Sequence, residues 1–224
     1  MDYFNSLTVQ QKSNIAYIIK RLGEKGITND FTKAGILSIC SKESAFTPKS
    51  EKGYGNTPNE RIRAIFGSRV AKYTEGQLFV LKTNDEAFFN AVYGSRNGNS
   101  ENEGFKFRGR GLNQLTFKNS YDKIGKQIGV DLITNPDRAN ELPVATDILI
   151  QYFKNFFAAA PKEILTHYNT TGLNDFKTLD EAVKAVYHAN AGWGKTYAAL
   201  EADRTGGRKK AIDRSAGFLA MVTK

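Results

Sequence analysis

A single cysteine, Cys40, leaves this chain of 224 residues without an intramolecular disulfide and without a cysteine-built zinc module. Histidine is nearly as scarce: His167 and His188 lie far apart in sequence, outside any HExxH spacing, so no metal site is expected. The five prolines do not gather into a linker, and no repeat of 20–50 residues is visible. No apolar run approaches the roughly 18 residues of a membrane-spanning helix; the longest is Ala34 to Cys40. There is neither a GxSxG elbow nor a GxxxxGK[ST] loop, which removes covalent serine chemistry and nucleotide hydrolysis. The first residues, Met1-Asp-Tyr-Phe-Asn-Ser6, lack the charged-then-apolar layout of a secretory signal, so synthesis and folding in the cytoplasm are expected.

What is present suits a globular chain: 40% apolar, 25% charged and 12% aromatic residues. Lys plus Arg outnumber Asp plus Glu by 32 to 23, a net charge of +9 that favours polyanionic partners without choosing among nucleic acid, anionic membrane and acidic wall polymer. Apolar periodicity and capping residues predict helices from Ser6 or Thr8 to about Leu22, from Phe31 to Ser44, around 60–66, from Asp85 to Tyr93, and near 118–128, 137–159, 178–189, 195–204 and 208–222. Residues 47–59 and 94–104 read as polar loops. The alternating, glycine-punctuated segment Phe105–Thr116 is the best strand candidate. The expected fold is mainly α, one domain over 1–224, with a small β region around 105–116.

Cys40 continues the apolar stripe of the second helix and reads as a buried residue rather than a nucleophile. Glu43 falls on that stripe as well, two helical turns after Ile36. Either the helix ends there and Glu43 turns into water, or a carboxyl is held beside apolar surface at a helix C-terminus. Desolvation and the helix dipole would then keep it protonated, as the acid of a glycosidase must be. Glu51, in the glycine-rich loop, is the candidate second carboxylate, against the commoner fate of a solvated loop charge. Arg108-Gly-Arg-Gly111 is too short for an RNA-binding box and reads as an ordered turn aiming Arg108, Arg110 and Gln114 into a cleft. Gln114 and Thr116, two apart, would share one face of the strand, one bonding sugar and the other a water.

Phe89-Asn-Ala-Val-Tyr-Gly-Ser-Arg-Asn-Gly-Asn99, Glu103-Gly-Phe-Lys-Phe-Arg-Gly-Arg-Gly-Leu-Asn-Gln-Leu-Thr116 and Ile128-Gly-Val-Asp-Leu-Ile-Thr-Asn-Pro-Asp137 together resemble glycoside hydrolase family 19, most closely its phage endolysin branch. With Glu43-Ser-Ala-Phe46 and Asn190-Ala-Gly192 the likeness covers roughly residues 36 to 192. It implies a two-lobed, lysozyme-like helical domain. It also implies Glu43 as general acid, Glu51 as base, Gln114 and Thr116 on substrate and attacking water, and Tyr121 and Asn190 as further substrate contacts. Asn113 replaces the usual apolar residue, Phe117 a common glycine, and Ser120 a usual asparagine, which bears on subsites more than on the reaction.

The reading is an inverting cell-wall glycosidase acting on β-1,4 bonds between amino sugars, monomeric and without cofactor. It would reach the wall after release or delivery, for example by a holin. Peptidoglycan is preferred to chitin on three grounds. The likeness is to endolysins, plant-type chitinases use disulfides that one cysteine cannot form, and a +9 chain suits an anionic wall. Chitin is the alternative substrate. A basic nucleic-acid-binding module is the rival of another class, disfavoured because the basic residues are scattered, and an inactive glycan binder is disfavoured by the presence of both carboxylates. Arg204 to Arg214 could touch wall polymer or anionic envelope lipid, or be an ordinary exposed helix face.

Overall fold

The computed structural model describes residues 3–192, 194–201 and 206–223. Among them are eleven α-helices: α1 (Val9–Glu24), α2 (Asp30–Glu43), α3 (Asn59–Phe66), α4 (Glu75–Leu81), α5 (Asp85–Tyr93), α6 (Lys118–Ile128), α7 (Leu142–Ala158), α8 (Lys162–His167), α9 (Leu179–Ala191), α10 (Tyr197–Glu201) and α11 (Gly207–Val222). The mainly helical architecture is as expected. Within the expected domain the chain forms two compact units, residues up to Thr47 with those from Ala145 onward, and Pro48–Val144.

The first unit is built on α2. Residues Ala34 to Cys40 are buried all round the helix, which is the pattern of a central core helix rather than an amphipathic surface one. Asn29 caps it, its side chain accepting from the Thr32 N–H at 2.9 Å. Helices α9 and α11 pack against it. At Gly35 the approach of α9 is so close that a Cβ would lie 3.3 Å from both the Ala182 carbonyl and a Val186 methyl. Thr8 and Gln11 close a capping box on α1, and Arg21 on that helix clamps Asp147 of α7 with bonds of 2.7 and 2.8 Å. Part of the basic C-terminal stretch is used internally. Arg214 lies 3.8 Å from the Tyr3 ring centroid and donates to Ser41, while Lys209 pairs with Asp213. Arg204 and the predicted helix over 202–204 lie outside the described residues.

The second unit has an aromatic core of Ile62, Phe66, Val70, Leu78, Phe88, Phe89 and Val92, bordered by Tyr54, Tyr93 and Phe105. Two short helices, α4 and α8, were not anticipated. Helix α4 carries a Thr74–Gln77 capping box but only one buried residue, Leu78, so it offers no apolar stripe. The expected strand over 105–116 is not formed. Its one β feature is an isolated bridge in which Arg110 and Leu115 exchange bonds of 3.1 and 2.8 Å. Gly111 at φ 81° and Gln114 at φ 55° turn the backbone out of the extended region, so side-chain alternation does not survive.

Candidate functional site

Glu43 is the last residue of α2, in the first unit. Its Oε1 lies 2.9 Å from Lys42 Nζ and accepts from Asn190 Nδ2 of α9 at 3.1 Å. The side chain keeps 27% of its surface exposed. The carboxyl is therefore neither in bulk water nor pressed wholly against apolar surface, since an ammonium and an amide hold one of its oxygens. Asn190 is held in turn: the Tyr152 hydroxyl donates to its carbonyl at 3.4 Å. Burial, and then the charge of Glu43, raise that phenol to about 12, so it stays a donor.

Glu51 lies in the second unit, in the stretch before α3, and its backbone N–H donates to Gly109 O at 2.8 Å. Its Oε1 accepts from the Tyr54 hydroxyl at 3.0 Å and the Tyr93 hydroxyl at 3.1 Å. Its Oε2 accepts from Tyr93 at 3.2 Å and from the Gly109 N–H at 3.3 Å. The two rings are fixed by the aromatic core: Tyr54 packs edge-on to Phe66, and Tyr93 stacks on Phe89 and meets Phe117 edge-on. Burial, and after it the negative charge of Glu51, push both phenols far above their ordinary value, so they act only as donors to the carboxylate. Both tyrosines escaped the sequence reading, although Tyr93 stands in one of the quoted motifs.

The segment 105–117 places the remaining candidates. Gln114 Nε2 donates to the carbonyls of Lys49 and Gly111 at 3.0 and 3.3 Å. A Cβ on Gly109 would sit 2.8 Å from Gln114 Oε1 and 3.2 Å from Glu51 Oε2, so the missing side chain lets amide and carboxylate share one place. Thr116 Oγ1 donates to Gln114 O at 2.9 Å, leaving its oxygen lone pairs as acceptors. Gln114 and Thr116 are thus joined by a turn and not by a common strand face.

Of the residues expected as substrate contacts, Arg110 and Tyr121 are buried and bonded within the protein, and Arg108 is half-buried. Arg110 is 2% exposed and its guanidinium bonds Asp137 at 2.7 Å, the Lys106 carbonyl at 2.7 Å and the Tyr121 hydroxyl at 3.1 Å. Tyr121 is fully buried and donates to the Arg108 carbonyl at 2.8 Å. Arg108 lies 4.0 Å from the Phe105 ring centroid and donates to the Phe105 carbonyl. Burial, and then Arg110, lower its pKa. These three side chains brace the loop that carries Gly109 and Gln114.

Other reactive groups fall away. Cys40 is buried, and burial pushes its thiol well above the usual range. Among the described residues no group of three or more His, Cys, Asp or Glu is placed to hold a metal ion. His188 Nε2 faces the Lys195 carbonyl at 3.0 Å and its Nδ1 the Tyr168 hydroxyl at 3.1 Å, while His167 stacks on Tyr197.

The class of the protein follows from comparison with known proteins, which places it among the glycoside hydrolases. The family model described as Chitinase class I, of glycoside hydrolase family 19, matches residues 44–186, and the chain belongs to that family. Glu43 and Asn190 fall just outside the matched residues. An acidic 27 kDa endochitinase of Solanum lycopersicum is 35% identical over 105 residues, covering 45% of this chain and 38% of that protein. A glycosyl hydrolase family 19 domain-containing protein of Haemophilus influenzae is 33% identical over 104 residues, covering 44% of this chain and 50% of the other. The chain thus spans half or less of the length of these curated relatives. Among solved structures, chitinase C from Streptomyces griseus HUT6037 superposes with a TM-score of 0.45 at 15% identity, over 96% of this chain and 70% of that one.

Proposed function

We propose that this chain is an inverting glycosidase that hydrolyses β-1,4 bonds between amino sugars of peptidoglycan. Glu43 gives its proton to the leaving oxygen as the bond from that oxygen to the anomeric carbon breaks. Glu51 takes a proton from the water whose oxygen forms the new bond, and Thr116 accepts a hydrogen bond from that water. The observation that carries this reading is the fixing of Glu51, whose carboxylate accepts from three neutral donors, the Tyr54 hydroxyl, the Tyr93 hydroxyl shared between its two oxygens, and the Gly109 N–H. Such donors fix the orientation of the carboxyl group and leave its remaining lone pairs for a water. The +9 charge supports an anionic wall polymer as substrate. The name of the Solanum relative, an endochitinase, favours chitin as the second reading.

Mass spectrometry of products from purified peptidoglycan and from chitin oligomers tests both readings at once. New reducing ends on peptidoglycan are expected from the wild type. Glu43→Gln, which keeps the shape but removes the proton source, should lower turnover by about two to four orders of magnitude. A variant keeping a third of wild-type turnover, or cleavage of neither polymer, would overturn the assignment.

A further inference from the structure

Lys42 precedes Glu43 in the last turn of α2, where a lysine ordinarily extends into water with the helix dipole in its favour. Consecutive residues of a helix do not face each other, so its ammonium reaches the Glu43 carboxyl only by folding back. It does so: Nζ lies 2.9 Å from Glu43 Oε1 and 5.2 Å from the centroid of the Tyr187 ring. Tyr187 is buried in α9, so the ring is a fixed seat for the cation. The Lys42 side chain keeps only 27% of its surface exposed. It has given up rotamer freedom that an ordinary surface ion pair rarely repays.

Helix α9 supplies both supports of the acid. Tyr187 and Asn190 stand three residues apart, neighbours on one face of the helix. The first seats the Lys42 ammonium, and the second donates its amide N–H to Glu43 at 3.1 Å. The Tyr152 hydroxyl of α7 holds Asn190 in turn. An ammonium and an amide NH2 are donors only, and both donate to Oε1. Oε1 is therefore the carbonyl oxygen whenever Glu43 is protonated, and the proton sits on Oε2.

We infer that Lys42 is a positioning residue for the acid step: with Asn190 it fixes Oε1 and so aims the Oε2 proton, and its ammonium stabilises the charge that Glu43 acquires. The inference rests on the reading of Glu43 as general acid and deepens it. In that step the leaving oxygen keeps the electron pair of the broken bond to the anomeric carbon and takes the Oε2 proton, which leaves Glu43 a carboxylate. A neutral carboxyl gains little from a neighbouring cation, whereas a carboxylate gains much. The attraction thus grows as the proton departs, which lowers the barrier rather than tightening substrate binding. An ammonium already seated needs no reorganisation at that moment.

Leaving groups of different basicity isolate this role. A soluble β-1,4 amino-sugar oligomer needs its leaving alkoxide protonated, whereas a nitrophenyl glycoside of the same sugars expels a phenolate that departs unaided. Lys42→Met keeps an unbranched stem against Tyr187 and removes the charge. Its kcat should fall about tenfold or more on the sugar–sugar bond, the scale of one charge-assisted hydrogen bond, and less than about threefold on nitrophenol release. KM and the melting temperature should change little. Lys42→Arg, which restores the cation, should recover most of the loss. Glu43→Gln, measured beside them, should show the same selectivity more strongly. Equal losses of Lys42→Met on the two substrates would mark a structural residue and overturn the inference. An unchanged kcat on both, or a Lys42→Arg no better than Lys42→Met, would overturn it as well, and in each of these cases the proposed function stands. If Glu43→Gln does not discriminate between the substrates, or the wild type cleaves neither, the inference falls together with the proposed function.

Discussion

Tyr93 is the residue on which Glu51 depends most, because its single hydroxyl spans both carboxylate oxygens while its ring is locked against Phe89 and Phe117. Replacing it by phenylalanine removes the hydroxyl and leaves the packing. Turnover of Tyr93→Phe should fall by about 10–100-fold through loss of positioning, with the melting temperature nearly unchanged. Steady-state kinetics beside a thermal melt decide it, and an unaltered kcat would refute the clamp. The positions of Glu43 at a helix end and of Glu51 in a loop were legible in the sequence. The hydroxyls that hold Glu51 were not, since Tyr93 is 42 positions away and no local pattern links them. The burial of Arg110 was not legible either. Arginines are seldom buried, and this one is buried only because Asp137, Tyr121 and two loop carbonyls satisfy it.

At the level of elements, helices were readable where an apolar stripe coincided with a cap, as in α1 and α5. The 105–116 segment was misread because residues that alternate along a strand can equally line a tight loop once glycines and left-handed residues bend it. That loop makes its own prediction. Gly109→Ala would press a methyl against Gln114 Oε1 and Glu51 Oε2, and activity should drop about tenfold or more with little loss of stability. Normal turnover would show that the shared place above Gly109 is unimportant. A second prediction concerns the tie between α1 and α7. Burial pushes the Asp147 carboxyl up, but the Arg21 bonds and the Lys25 charge outweigh it, and its pKa is held below the ordinary value. A depressed carboxylate pKa stabilises the folded state fully above the unfolded value of about 3.9 and ceases to do so as pH falls through the folded value. Asp147→Asn should therefore cost about 1–2 kcal/mol at pH 7 and progressively less below about pH 4. Urea unfolding at pH 7 and pH 3 measures the gap; a gap independent of pH would contradict the ion-pair account.

For the whole molecule, the helical class was legible and the family resemblance implied two lobes, but where the chain divides was not legible, because the first unit is assembled from the two ends of the chain around an intervening 48–144 segment. Glu43 belongs to the first of these units and Glu51 to the second. The proposed mechanism uses the pair with a water as the nucleophile, the arrangement of inverting enzymes, in which the carboxyls stand about 6.5–9.5 Å apart; retaining enzymes need about 5–5.5 Å. Glu51 then never bonds to sugar, and the first-formed product has the α configuration. Proton NMR of a fresh digest of a soluble β-1,4 amino-sugar oligomer, recorded before mutarotation, tests this directly. The α-anomer should appear first and decay toward equilibrium, whereas a β-anomer appearing first would contradict the mechanism.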